Sequence, residues 1–74
     1  MTRLPSLKPR AVIEGLRRSG FVVVRVRGSH YQLANPTTGR RVTVPYHNHD
    51  LTRAILASII HQSGLTTQEF IDRL

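Results

Sequence analysis

Apolar residues near the start of the chain recur at the spacing of a helix. Val12, Ile13 and Leu16 fall on one side of such a helix, and charged residues take the other side. Proline is favoured in the first turn of a helix, and glycine is favoured just past its end. The pattern therefore predicts an amphipathic helix that begins at Pro9 and ends at Gly20.

Three short strands are predicted next, because the apolar residues become β-branched and alternate with polar ones. These strands comprise residues 21–27, 30–34 and 41–44. Gly28 and Ser29 are the central residues of a tight turn between the first two strands, with glycine first as a type II′ turn requires. Pro45 stops the third strand because proline cannot donate to the ladder.

Two further helices are predicted after a polar loop. Apolar positions within residues 51–60 return to a helical period, and Gly64 ends that helix. Residues 66–69 have the spacing of a capping box and start a short terminal helix. A chain of this size supports one small core, so the order α-β-β-β-α-α predicts a single α+β domain over residues 1–74. Its helices pack on one face of a three-stranded antiparallel sheet.

The expected register separates two faces of this sheet. A two-residue turn pairs Arg27 with His30 and Val24 with Leu33, and the next loop pairs Leu33 with Val42. The face predicted to meet the helices is apolar and comprises Val22, Val24, Val26, Tyr31, Leu33, Val42 and Val44. The opposite face, here called the basic face, comprises Val23, Arg25, Arg27, His30, Gln32, Ala34, Arg41 and Thr43. The basic face holds no acidic residue.

Composition adds a strong positive charge. The chain has 11 Lys plus Arg and 4 Asp plus Glu, which gives 11 − 4 = +7. This balance favours an anionic partner. The absence of cysteine excludes disulfides, thiolate metal sites and thiol nucleophiles. The longest fully apolar run, 21–24, is too short to span a membrane, so we expect a cytoplasmic protein with no membrane partner.

Phosphate is the ligand that this arrangement favours. Arg25, Arg27 and Arg41 are candidate phosphate ligands, because guanidinium groups bind phosphate in bidentate fashion. The backbone N–H groups of Gly28 and Ser29 can add further donors. The plainer interpretation is that an uncovered antiparallel sheet simply shows polar residues to water.

His30 is the candidate catalytic residue. Imidazole exchanges protons near neutral pH, so a histidine among arginines can take the proton of an RNA 2′-OH while the arginines hold the phosphate. This chemistry needs no metal. Alternatively, His30 only donates a hydrogen bond to a phosphate. His47 and His49 give a weak zinc pattern that lacks a third ligand, so no metal site and no cofactor are predicted.

Several motifs together resemble the HicA family of toxin-antitoxin modules. They are the segments 19–25, 27–30, 35–36, 39–45 with His47, then Leu56, Ile59 and Ile60, 62–66 and 69–70, so they cover nearly the whole chain from the first helix onward. The resemblance implies a fold like that of double-stranded-RNA-binding domains and an mRNA interferase, a metal-independent endoribonuclease whose single catalytic histidine is His30. It also implies neutralisation by a HicB antitoxin, with operator DNA bound only through the antitoxin complex. One segment departs from the family, because 54–56 reads Ala-Ile-Leu in place of Gly-Thr-Leu.

Two other functions fit the residues. A non-catalytic RNA-binding module of the double-stranded-RNA-binding type docks through helices and loops, and would use Lys8, Arg10, Arg17 and Arg18 of the first helix. A protein-interaction domain would use the sheet face only to dock a partner. The aromatic residues are too few for a base-stacking platform, so weak sequence readout is expected.

Overall fold

The computed structural model describes residues 4–74 and has the predicted order of elements. Helix α1 is Pro9–Arg18, strands β1, β2 and β3 are Val22–Arg27, His30–Ala34 and Arg41–Pro45, and helices α2 and α3 are Arg53–Ser63 and Thr67–Asp72. The strands form one antiparallel sheet in the order β1-β2-β3. The predicted α+β class and α-β-β-β-α-α layout are confirmed.

The helices end where the sequence predicted, for local reasons. Gly20 has φ +99°, and its N–H and that of Phe21 donate back to the carbonyls of Arg17 and Leu16 at the end of α1. This paired arrangement requires a left-handed residue, which glycine adopts without penalty. Thr66 starts α3 with the predicted capping box. These caps satisfy backbone groups that a short helix would otherwise leave unpaired.

The β1–β2 hairpin closes at the predicted turn. Gly28 has φ +58°, whereas Ser29 has no positive φ, which is the combination that a type II′ turn requires. The turn pairs Arg27 with His30, as expected. Pairing of Leu33 with Val42 in the second hairpin is also confirmed.

A β-bulge changes the register at the start of β1. The register shifts between Val23 and Arg25, so that Val23 lies opposite Leu33 and Val22 lies opposite Ala34. The predicted pairing of Val24 with Leu33 is therefore wrong. The extra residue at Val24 exchanges the faces of the two valines before it, and Val22 replaces Val23 on the basic face.

The hydrophobic core lies between the helices and strands β2 and β3. Leu33, Val42 and Val44 are buried there against residues of all three helices, among them Leu16 of α1 and Phe70 of α3. Helices α1 and α2 contact β3, whereas every residue of β1 is exposed. The expectation that β1 contributes its valines to the helix-covered face is wrong, because these short helices extend over only two strands. Within residues 4–74, no helix is long and apolar enough to cross a membrane.

Candidate functional site

His30 stands at the corner of the basic face. It is the first residue of β2, it lies directly opposite Arg27 of β1 and Pro45 of β3, and it is exposed. Directly opposite residues of an antiparallel pair project from the same face with their Cβ atoms about 5 Å apart. The imidazole and the guanidinium of Arg27 therefore share one open surface.

The other candidate arginines lie at increasing distances from His30. Arg25 is paired with Gln32, two residues further along the sheet, and projects from the same face. Arg41 is paired with Ala34, at the far end of β2. Four residues of an antiparallel strand rise about 14 Å in total. Arg25 and Arg27 therefore lie near His30. Arg41 lies further along the strand, so it could contact only a different phosphate of a bound nucleic acid.

The Gly28-Ser29 turn is held against the end of β3. The N–H of Tyr46 donates to the carbonyl of Ser29, so the segment after Pro45 continues alongside the turn. A Cβ placed on Gly28 would meet nothing within 4 Å, and Ser29 is exposed. The turn is therefore anchored on one side and open to a ligand on the other.

The acidic residues of the chain lie away from this surface. They are Glu14, Asp50, Glu69 and Asp72. Glu14 contacts Arg17 at 3.6 Å and Asp50 contacts Lys8 at 3.9 Å, while the other two lie in α3. In the part of the chain that the structure describes, no carboxylate pairs with Arg25 or Arg27. Their charge is available to an external anion.

The basic residues of the helical side are less available. Lys8 and Arg17 have the acidic neighbours just named, and a guanidinium nitrogen of Arg18 donates to the carbonyl of Arg73 at 3.1 Å. Arg10 forms no such contact with any residue of 4–74. Of the four basic residues of 8–18, three therefore have contacts within the chain, whereas Arg25 and Arg27 of the sheet have no carboxylate partner among residues 4–74.

Tyr31 and Tyr46 form a contact that the sequence did not indicate. Their rings stack with centroids 4.6 Å apart and an angle of 24° between planes. Tyr46 is exposed and follows Pro45, the residue opposite His30. The alternation of β2 predicted that Tyr31 faces the core. It gave no sign that Tyr46, a residue beyond the end of β3, covers the Tyr31 ring.

His47 and His49 also stack, with ring centroids 4.0 Å apart. Nδ1 of His47 lies 2.9 Å from the carbonyl oxygen of His49, and Nδ1 of His49 lies 3.3 Å from the side-chain oxygen of Asn48. Among residues 4–74, no three His, Cys, Asp or Glu side chains converge as metal ligands. His61 is exposed in the last turn of α2, apart from the basic face.

Fold and site together define a small basic α+β domain that exposes a histidine beside Arg27 at the corner of an open sheet. A sequence model described as "HicA toxin of bacterial toxin-antitoxin" matches residues 9–65. The match covers more than half of the chain, so this protein belongs to the HicA toxin family and is the toxin of a toxin-antitoxin system, which implies a cognate antitoxin. A search of curated proteins gives no match. The family match confirms the resemblance seen in the sequence.

Proposed function

We propose that this toxin is a metal-independent endoribonuclease that cleaves mRNA in the cytoplasm and is neutralised by a HicB antitoxin. His30 is its catalytic residue. The observation that carries the proposal is the pairing of exposed His30 with Arg27 on a face that has no carboxylate. A proton-transfer group beside a fixed cation is what cleavage of an RNA phosphodiester requires.

The reaction is an internal transfer of the phosphoryl group. A nitrogen of His30 takes the proton of a ribose 2′-OH, and the oxygen attacks the adjacent phosphorus. The bond from phosphorus to the 5′-oxygen breaks, and the proton returns to that oxygen from the imidazolium or from water. The products carry a 2′,3′-cyclic phosphate and a 5′-hydroxyl. Each step uses only a general base and an acid.

Arginines supply the electrostatic part of the mechanism. Arg27 binds the reacting phosphate, because it is the cation opposite His30. Arg25 and the N–H groups of Gly28 and Ser29 add donors around that phosphate, and Arg41 binds a more distant one. Negative charge grows on the phosphate oxygens in the transition state, so fixed cations lower the barrier.

The non-catalytic RNA-binding module is less well supported. It requires Lys8 and the basic residues of α1 as its main contacts, and Lys8, Arg17 and Arg18 already have contacts within the chain. Exposed ion pairs are weak, so those residues still add to the general attraction for RNA. Arg25 and Arg27, by contrast, have no carboxylate partner among residues 4–74 and lie on the sheet beside His30.

The proposal is tested by incubating the purified protein with mixed-sequence RNA in excess EDTA. His30→Ala is expected to lower the cleavage rate about 10² to 10⁴-fold, as general acid-base residues do. His61→Ala is the matched control, because this histidine is also exposed but lies apart from the basic face. Circular dichroism establishes that each variant is folded, and analysis of the product ends identifies the cyclic phosphate.

Two results would contradict the proposal. Equal cleavage by native protein and His30→Ala excludes His30 as the catalytic residue. Intact RNA with folded native protein, combined with binding that is lost in Arg17→Glu/Arg18→Glu and kept in Arg25→Glu/Arg27→Glu, favours the non-catalytic module. We expect the opposite pattern, in which RNA binding is lost in Arg25→Glu/Arg27→Glu and kept in Arg17→Glu/Arg18→Glu.

A further inference from the structure

The two edges of the sheet differ in whether another element covers them. At the β3 edge, the N–H of Thr43 donates to the side-chain oxygen of Gln62 at 3.2 Å, and α2 packs against the strand. Strand β1 lies at the other edge, and among residues 4–74 only β2 pairs with it. In an edge strand, alternate residues turn their N–H and C=O groups outward. β1 therefore presents a free hydrogen-bonding edge.

Apolar side chains surround this free edge. The exposed fractions of the valines of β1 are 50% for Val22, 39% for Val23, 50% for Val24 and 52% for Val26. They lie on both faces of the strand, because Val22 is paired with Ala34 on the side of Arg25 and Arg27, whereas Val23 and Val26 are paired with Leu33 and Tyr31 on the other side. A strand with all residues exposed and four of them valine is a typical site for pairing with another strand.

Charge indicates what kind of strand pairs there. Arg25 and Arg27 are the charged residues of β1. Pairing of β1 with β1 of a second copy would bring these arginines close to each other, and like charges across a strand pair are destabilising. An acidic strand would pair each arginine with a carboxylate. The bulge at Val24 leaves 25–27 as the regular part of the strand, which is the part that carries both arginines.

We propose that an extended segment of a partner protein, in which acidic residues alternate with apolar ones, adds to the free edge of β1 as a fourth strand. Its backbone would pair with the outward N–H and C=O groups, its apolar residues would cover the valines, and its carboxylates would meet Arg25 and Arg27. RNA is a poorer occupant of this edge, because phosphates would use the arginines and leave the valines and the outward N–H groups uncovered.

A strand in this position would also block the site. Its carboxylates would occupy Arg25 and Arg27, which lie on the same face as His30. The added strand would thus inhibit RNA binding without contacting the histidine. This inhibitory consequence rests on the proposed function, whereas docking at the edge does not.

The test uses ¹⁵N-labelled full-length protein and a synthetic peptide of eight residues in which valine and glutamate alternate, with both ends blocked. Binding is expected to shift the amide signals of residues 22–27 and to slow hydrogen exchange of the outward-facing ones. A peptide of the same composition with its valines and glutamates in two blocks is the control, because it cannot present both sets in register.

Charge reversal tests the role of the arginines. Arg25→Glu/Arg27→Glu is expected to weaken binding of the glutamate peptide about tenfold, and a peptide with lysine in place of glutamate is expected to recover binding to this variant. Arg17→Glu/Arg18→Glu is the matched control, since it makes the same change of charge on α1 and should bind the glutamate peptide nearly as well as native protein. His30→Ala should bind as native protein does.

Four outcomes would overturn this inference. The β1 amides do not shift at millimolar peptide, or the shifts are confined to the helices. Native protein binds the lysine and glutamate peptides equally well, or an RNA oligonucleotide protects the same β1 amides.

RNA cleavage measured with the same samples separates the two proposals. Peptide binding without any cleavage by native protein contradicts the proposed nuclease alone. Cleavage that continues without peptide binding contradicts the docking strand alone.

Discussion

Arg27 and His30 are directly paired across the β1–β2 hairpin, one on each side of the two-residue turn. The pairing places a guanidinium and an imidazole side by side on the open face of the sheet. Arg41 projects from the same face but lies at the other end of the strands. This difference in position leads to different expectations for the two arginines.

Arg27→Ala is expected to lower kcat/KM for RNA cleavage about 10- to 100-fold, because it removes a charge-assisted hydrogen bond to the reacting phosphate. Arg41→Ala is expected to lower it about threefold or less, since the lost charge lies beyond the screening distance of about 8 Å at physiological salt. Steady-state cleavage of one RNA by both variants measures the difference. Arg27→Lys should give an intermediate rate, because lysine keeps the charge and loses the bidentate geometry. Equal losses of kcat/KM in Arg27→Ala and Arg41→Ala would contradict the assignment of Arg27 to the reacting phosphate.

Gly28→Ala is expected to reduce both stability and activity. Gly28 has φ +58°, where an alanine costs about 1–2 kcal/mol. Gly39→Ala is the matched control, because Gly39 has φ +76° and a Cβ at either glycine would meet nothing within 4 Å. Urea unfolding should show similar losses for the two variants, whereas only Gly28→Ala should slow cleavage further, since its turn orients His30. Similar cleavage by the two variants would show that the turn has no role in the site.

Phe70→Ala is expected to destabilise the protein by about 3–5 kcal/mol, as removal of a fully buried phenylalanine usually does. Phe70 is 0% exposed, although α3 lies beyond the segment that matches the family. A Cβ on Gly15 would lie 3.4 Å from the Phe70 ring, so α3 docks closely on α1. Ile71→Ala, at a half-buried position of the same helix, should cost much less. Denaturant unfolding of the two variants tests whether α3 belongs to the core, and equal small losses would show that it does not.

Stability is expected to depend on the ionisation of Glu69. The backbone N–H of Thr66 donates to this carboxylate at 2.8 Å and, with the Thr66 hydroxyl and Arg73, lowers the pKa of Glu69 below its ordinary value of 4.5. The unfolded chain then binds this proton more readily than the folded chain. The contribution of the Glu69 carboxylate to the stability of the fold is therefore complete above pH 4.5. It is lost as pH falls through the lower pKa that Glu69 has in the folded protein.

Glu69→Gln tests this dependence, because glutamine keeps an oxygen acceptor for Thr66 and cannot ionise. Melting temperatures of the native protein and the variant should differ most near neutral pH and converge in acid. A difference that stays constant from neutral pH to pH 3 would contradict the role of the carboxylate charge.

Much of the site was predictable because it depends on local rules. Glycine at the first position of a two-residue turn determines the pairing of Arg27 with His30 without reference to the rest of the chain. The alternation of β2 then places His30 and Gln32 on one face. The bulge at Val24 was not predictable in the same way, because a run of valines satisfies either register equally well.

The sequence by itself determined the order of the elements, the helix ends at Gly20 and Gly64, the hairpin turn and the basic face beside His30, since each follows from the preferences of residues close together in the chain. Only the tertiary structure decided which strands are covered. The helices cover one face of β2 and β3 and leave β1 open, because covering a strand depends on how far a few short helices extend. The same packing set the stacking of Tyr46 on Tyr31.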